Sequence, residues 1–295
     1  MANYSIKDLE NFTGIKAHTI RIWEKRYNVV EPKRTETNIR YYDDEDLKKL
    51  LNVSILNRHG YKISNIVEFS NSSITDKILN LAQSNSNAES QIENLVVSMI
   101  EMDENKFDKI FNTSIINLGF EETILKLIYP FFEKIGILWQ LGTINPAQEH
   151  FISNLIRQKL IVAIDGLVTN VNQKSKCFVL YLPEGEFHEL GLIFYQYLIK
   201  KRNHKLYYLG QTVPVEALKE VLMLKEVDYL FTSIITPMND DKMECHFNEL
   251  LKTTENIKKI FLSGHAAEEA ANKDLPDKFH IIKSALEFRT ILDSL

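Results

Sequence analysis

Two cysteines, Cys177 and Cys245, in 295 residues leave no material for a disulfide framework or a multi-cysteine zinc site. Positive charge is also short: 35 Lys and Arg against 40 Asp and Glu give a formal net charge of −5. The chain is therefore no generic polycation, and any nucleic-acid contact must come from a local basic surface. No apolar run approaches the roughly 18–20 residues that span a bilayer. The opening MANYSIKDLENFTG lacks a positive n-region followed by an apolar core, so neither a membrane segment nor a signal peptide is expected. There is no G-x-S-x-G elbow, no Walker lysine loop and no Gly-rich dinucleotide fingerprint, and these absences argue against an enzyme. No internal repeat is visible. What remains is 44% hydrophobic and 25% charged, too apolar for a disordered tail and long enough for two or three domains. A soluble, cytoplasmic protein is expected.

Three segments differ in periodicity. Residues 1–70 are dense in short helical patterns. The Ser/Asn-rich stretch 71–90 reads as a linker of limited order. Residues 91–172 carry long amphipathic stripes: Ile124, Leu127, Ile128, Phe131 and Ile135, then Phe151, Leu155, Ile156, Leu160 and Ile164. Such stripes are ordinarily packed helix–helix core. Pro146 opens the second of these helices, where a missing N–H costs little. Residues 173–295 change period. The apolar runs CFVLYL, KLYYLG, VDYLFTSII, KKIFLSG and FHIIKS alternate with helical patterns. Continuous apolar strands between helices argue for a parallel, doubly wound α/β sheet, whose ligands bind beyond the carboxyl ends of the strands.

The stretch SIKDLENFTGIKAHTIRIWEKRY fits two short helices joined by a tight turn at Gly14, the second directing Thr19, Arg21 and Lys25 to solvent. A helix of this size fits the major groove. The polar arm EPKRTETNIRYY follows, bearing Lys33, Arg34 and Arg40, and reads as a wing along phosphates. Trp23, inside the amphipathic helix, reads as core. Glu24, Glu31 and Glu36 offset several of the bases, so a monomer is expected to bind weakly and oligomers to be needed.

TIRIWEKRY…EPKRTETNIRYY resembles the winged helix-turn-helix of MerR-type regulators over about 70 residues. The resemblance implies double-stranded promoter DNA as partner. It implies backbone contacts from Arg21, Arg34, Arg40 and Tyr42, with Thr19 and Lys25 on the recognition helix.

LPEGEFHELGLIF places Glu186, His188 and Gly191 just after the first strand of the α/β segment and at the mouth of the next helix. E-x-H-x-x-G is similar to the D-x-H-x-x-G signature of cobalamin-binding domains. The resemblance implies that His188 is the lower axial ligand of cobalt, that Glu186 orients its ring, and that Gly191 lets backbone approach the ligand. LGQTVP at 209–214 resembles the second loop of those domains. Ser233 falls where they contact the displaced nucleotide tail, and Gly264 in their last glycine motif. Ser263 departs from a paired glycine and adds a side chain where the tail threads.

Trp139 is separated by nine residues from Glu149 and His150, which puts an indole at the end of one helix and an acceptor–imidazole pair in the first turn of the next. W-x₉-E-H resembles the motif of light-dependent, cobalamin-binding MerR-type repressors, the CarH/LitR class. In that class Trp139, Glu149 and His150 would contact the adenosyl group of adenosylcobalamin. Gln140 departs from the histidine that ligates cobalt there after photolysis, and an amide is a poor ligand for Co(III).

The expected protein has a MerR-type winged helix-turn-helix, a helical bundle and a Rossmann-type α/β cobalamin-binding domain. Its expected function is a cobalamin-dependent, light-sensing transcriptional regulator, a repressor, whose dimer or tetramer state and DNA binding follow adenosylcobalamin. The alternatives are a regulator sensing cobalamin or a protein partner without photochemistry, and a corrinoid methyl carrier.

Overall fold

The computed structural model describes residues 4–35, 38, 40–58, 60–70, 73–74, 77, 88–140, 145–236, 240–254, 256–265, 267 and 275–295. The chain divides into two compact units, Met1–Leu155 and Ile156–Leu295. The division falls inside a helix.

The first unit opens with α1 (Ile6–Thr13), which starts at a reciprocal capping box. Ser5 Oγ accepts from Asp8 N–H, and the Asp8 carboxylate accepts from Ser5 N–H. Gly14 ends it at φ 70°, the left-handed conformation a glycine takes most cheaply. Next, α2 (Ala17–Tyr27) has no capping side chain on its own N-cap residue, Lys16. The preceding helix supplies the cap: Glu10 Oε2 accepts from Ala17 N–H at 3.1 Å, while Glu10 Oε1 pairs with Lys16 at 3.0 Å. Helix α2 buries Ile20 and Trp23. Strands β1 (Lys33–Arg34) and β2 (Arg40–Tyr41) pair antiparallel as the wing. Tyr4 exchanges both backbone hydrogen bonds with Tyr42, tying the start of the chain to the wing's return.

Helix α3 (Asp44–Arg58) follows, then the short α4 (Ile63–Ile66). Within the expected 71–90 linker, Ile74 is buried and the Lys77 ammonium lies over the rings of Phe69 and Tyr61, 4.8 and 5.6 Å from their centroids. Part of that stretch is therefore packed.

The bundle consists of α5 (Ala88–Glu101), α6 (Glu104–Leu118), α7 (Phe120–Thr123), α8 (Tyr129–Gln140) and α9 (Pro146–Asp165). A π turn, Ile124–Ile128, joins α7 to α8. Pro130 accounts for it: with no N–H to give Lys126 and a ring that crowds that carbonyl, it forces the turn before it to widen. The expected stripe Ile124, Leu127, Ile128, Phe131 and Ile135 is buried throughout. In α9, Leu155, Ile156, Leu160 and Ile164 are buried as expected, whereas Phe151 is half-exposed and Ile152 takes the core position. Helix α3 packs on α5 through a charged bridge, with Glu101 between Lys48 at 3.0 Å and the buried Lys106 at 3.1 Å.

The second unit is a five-stranded, all-parallel sheet in the order β4-β3-β5-β6-β7. Its strands are β3 (Cys177–Pro183), β4 (Lys205–Val213), β5 (Tyr229–Ser233), β6 (Lys259–Ser263) and β7 (Phe279–Ile282). All five coincide with the expected apolar runs. Helices α10 (Leu190–Lys201), α11 (Val215–Leu224), α12 (Asp240–Thr253) and α13 (Ala285–Ser294) lie between and after them. Every residue of β3 is buried, as a central strand covered on both faces requires. Strand order reverses between β3 and β5, so the ligand crevice of a doubly wound sheet lies past their carboxyl ends. Among the described residues no helix is long and apolar enough to cross a membrane.

Candidate functional site

On the first unit, α2 turns Arg21 and Lys25 to solvent, and Thr19 is half-exposed beside them. Arg34 and Arg40 are register partners on the wing and both are exposed. The Arg34 guanidinium donates to Asn38 Oδ1 at 2.7 Å, which holds it along the wing. Tyr42 stands apart from these exposed bases. It is fully buried, and its hydroxyl donates to the Glu24 carboxylate of α2. Burial first, then that carboxylate, hold its phenol above the usual range. Tyr42 therefore braces the recognition helix against the wing. Glu24, which entered the sequence argument only as a charge opposing the bases, is its partner. Glu36 lies outside the described residues.

On the second unit, the loop between β3 and α10 carries Glu186 and His188 past the carboxyl end of β3. Glu186 is fully buried and receives five hydrogen bonds. Its Oε1 accepts from Phe187 N–H at 2.9 Å, His188 N–H at 3.0 Å and His188 Nδ1 at 2.6 Å. Its Oε2 accepts from Ile235 N–H at 2.8 Å and Thr236 N–H at 2.7 Å, in the loop after β5. One carboxylate thus spans the switch-point crevice. Burial by itself would raise its pKa, but the bonds from Thr236, His188 and Ile235 outweigh it and hold the group down at about 2.

An ionised carboxylate can only accept, so Nδ1 of His188 donates to it, and in the neutral tautomer this places the ring's lone pair on Nε2. The His188 side chain is 60% exposed. This donor set fits an imidazole that would hold a cobalamin: Nδ1 tied to a buried carboxylate, with Nε2 left for the metal.

Gly191 lies in the first turn of α10, and a Cβ there would meet nothing within 4 Å. Ser233 ends β5, is buried, and pairs in register with Ser263 at the end of β6. The Ser263 hydroxyl is buried without a partner. Gly264 has a reason internal to the protein. It holds φ +97°, and a Cβ would stand 2.4 Å from the Ile234 carbonyl oxygen.

Glu149 and His150 occupy the first turn of α9, as their spacing predicts. Glu149 accepts from Ser153 Oγ through one oxygen and faces His150 Nδ1 at 3.2 Å through the other. The His150 side chain is 72% exposed. Trp139 and Gln140 end α8 by their backbone, and their side chains lie outside the described residues. Among the described residues no group of three or more His, Cys, Asp or Glu is arranged to hold a metal.

Sequence reasoning missed the partners of the His188 loop. Ile235 and Thr236 donate to Glu186 through backbone N–H groups, which leave no trace in side-chain identity. Glu189 accepts from Arg157 Nε of α9 at 2.7 Å and from Tyr208 O–H at 3.3 Å.

Residues 4–72 match the family model for MerR HTH family regulatory proteins, and residues 91–163 match a B12 binding domain. The HTH-type transcriptional repressor CarH of Myxococcus xanthus is 23% identical over 272 residues, covering 90% of this chain and 89% of that protein. The repressor CarA of the same organism is 23% identical over 232 residues, covering 78% and 76%. The monomethylamine corrinoid protein of Methanosarcina barkeri has a TM-score of 0.49 at 14% identity, covering 77% of this chain and all of that one.

Proposed function

We propose that this chain, a MerR-type helix-turn-helix protein with a B12-binding domain and a homologue of two HTH-type transcriptional repressors, is a cobalamin-dependent transcriptional repressor. Adenosylcobalamin sets its oligomeric state and its DNA binding, and light is the signal. The observation that carries this is the Glu186–His188 pair, an imidazole tied through Nδ1 to a buried carboxylate at the switch point of a doubly wound sheet.

In this reading residues 1–70 contact DNA, 71–90 link, 91–172 cover the upper face of the corrin and 173–295 hold it. His188 offers Nε2 to cobalt while Glu186 keeps the proton on Nδ1. Ser233 and Gly264 contact the nucleotide tail, and Trp139, Glu149 and His150 contact the adenosyl group. When bound, adenosylcobalamin supplies a cobalt–carbon bond that light breaks. Arg21, Lys25, Arg34 and Arg40 engage phosphates and base edges, and each protomer adds only a few such charges. A dimer or tetramer multiplies them, which makes assembly state an effective control. Moving an assembly from about 1:99 to 99:1 takes roughly 5.5 kcal/mol of differential binding.

The test is promoter binding by the full chain with and without adenosylcobalamin in the dark, and again after green light. The expected result is tight binding only when loaded and dark. Equal affinity in all three states refutes the switch. Gln140 favours a second reading, in which the protein senses cobalamin itself. There, green light leaves DNA binding and the visible spectrum of the loaded protein without a stable new form.

A further inference from the structure

The loop that presents His188 is not anchored by a buried apolar side chain. Phe187, its apolar residue, is 63% exposed, and the His188 side chain is 60% exposed. Polar tethers must therefore set its shape. Glu186 supplies those in the middle. The others come from the end of β4, where the pairing with β3 slips. Tyr181 faces Gly210 and Pro183 faces Val213, so Leu182 stands opposite two residues, Gln211 and Thr212. A bulge of this kind re-aims side chains beside a site.

Both re-aimed residues reach the His188 loop. Thr212 Oγ1 accepts from Gly185 N–H at 3.1 Å, and Gln211 Nε2 donates to the Phe187 carbonyl at 3.0 Å. Thr212 does so from φ 49°, in the left-handed region that a β-branched residue rarely enters. Such a backbone persists only where its surroundings over-determine it, and it gathers at ligand sites. Gly185, the residue it holds, is itself at φ 82°.

We propose that Gln211 and Thr212 are positioning residues for His188. They hold the backbone on either side of Glu186, so that the imidazole stands ready for cobalt before the cofactor arrives. The inference rests on the reading of His188 as the axial ligand. A loop shaped in advance is not ordered at the cofactor's expense, and one net hydrogen bond corresponds to a change of about 3–10-fold in affinity.

The experiment uses the full chain and adenosylcobalamin in the dark, with affinity read by equilibrium dialysis and cobalt ligation by the visible spectrum. Thr212→Val keeps the branched shape and removes the acceptor, Thr212→Ser keeps the acceptor, and Gln211→Met removes the donor. We expect Thr212→Val and Gln211→Met each to bind about 3–10-fold more weakly, with Thr212→Ser within about twofold of wild type. Neither should cost anything further in a His188→Ala background, where there is no imidazole to position. Equal losses with and without His188, or no loss at all, overturn the proposal.

Amide exchange in the cofactor-free protein gives a reading that does not depend on cobalamin. Gly185 N–H should exchange about tenfold faster in Thr212→Val than in wild type, and unchanged exchange also overturns the clamp. If wild type and His188→Ala retain adenosylcobalamin equally while Gly185 exchange responds, the axial-ligand reading fails and the positioning role falls with it.

Discussion

Replacing Glu186 by glutamine leaves the size and shape of the side chain nearly unchanged but removes its capacity to accept on both sides. Oε1 faces three donors and Oε2 faces two. Whichever way the amide turns, its NH₂ stands against at least two backbone N–H groups. A buried donor left unpaired costs about 1–3 kcal/mol. Ile235 is 39% exposed, which puts its contribution toward the low end and the total at roughly 2–4 kcal/mol. The carboxylate itself leads to a similar figure. Its pKa is held at about 2 against a usual 4.5, and that preference for the ionised form corresponds to about 3 kcal/mol. Glu186→Gln should therefore lower the stability of the sheet by about 3 kcal/mol without any cofactor. The two units need not unfold together, so the measurement is native-state hydrogen exchange at amides of β3, β5 and β6. Glu186→Asp, shorter by one methylene, reaches only one of the two loops and should fall between. Protection in Glu186→Gln within about 0.5 kcal/mol of wild type refutes the account of one carboxylate bridging the crevice.

Three further outcomes are expected. Gly264→Ala sets a Cβ 2.4 Å from a backbone oxygen at φ +97°, so it should destabilise by more than about 2 kcal/mol; a thermal melt matching wild type refutes this. Ser263→Ala removes a buried hydroxyl that has no partner and should stabilise the cofactor-free protein by about 1 kcal/mol, a midpoint rise of roughly 2–4 °C, with a fall counting against it. His204 is pushed by burial below the usual imidazole range, and its Nδ1 accepts from Lys176 N–H at 3.1 Å. A histidine held neutral in the fold contributes stability that is complete above its unfolded pKa of about 6.5 and declines as pH falls below it. Relative to His204→Asn, the wild type should therefore lose stability between pH 7.5 and pH 5.5 in urea titrations, and a constant difference refutes the assignment.

Much of the architecture is local and can be read directly. Five apolar runs are five strands, because a strand buried on both faces must be apolar at every position. Gly14 ends α1 and Pro146 starts α9, since each acts on its own dihedral angles within one turn. The Glu186–His188–Gly191 spacing is legible for the same reason, as three residues of one loop and the turn that follows. Pro130 carries a warning in its type, but that the helix would answer with a π turn is decided by the core it packs into. Only the resemblance to the MerR-type wing put Tyr42 on DNA. The fold turns it inward, onto a carboxylate 18 positions earlier in the chain.

The same division runs through the site. Local pattern put an imidazole and a carboxylate in one loop past the first strand of a parallel sheet, and the resemblance alone paired them. Tertiary structure decided what that carboxylate does. It reaches Ile235 and Thr236, 49 and 50 residues on, because strand order brings β5 beside β3, and it accepts from backbone groups that every residue type but proline carries. The slip of β4 against β3 that aims Gln211 and Thr212 at the same loop is likewise a property of register. Hydrogen bonds to main chain and offsets between strands depend on which segments meet, and a linear sequence records that only through the packing of the whole sheet.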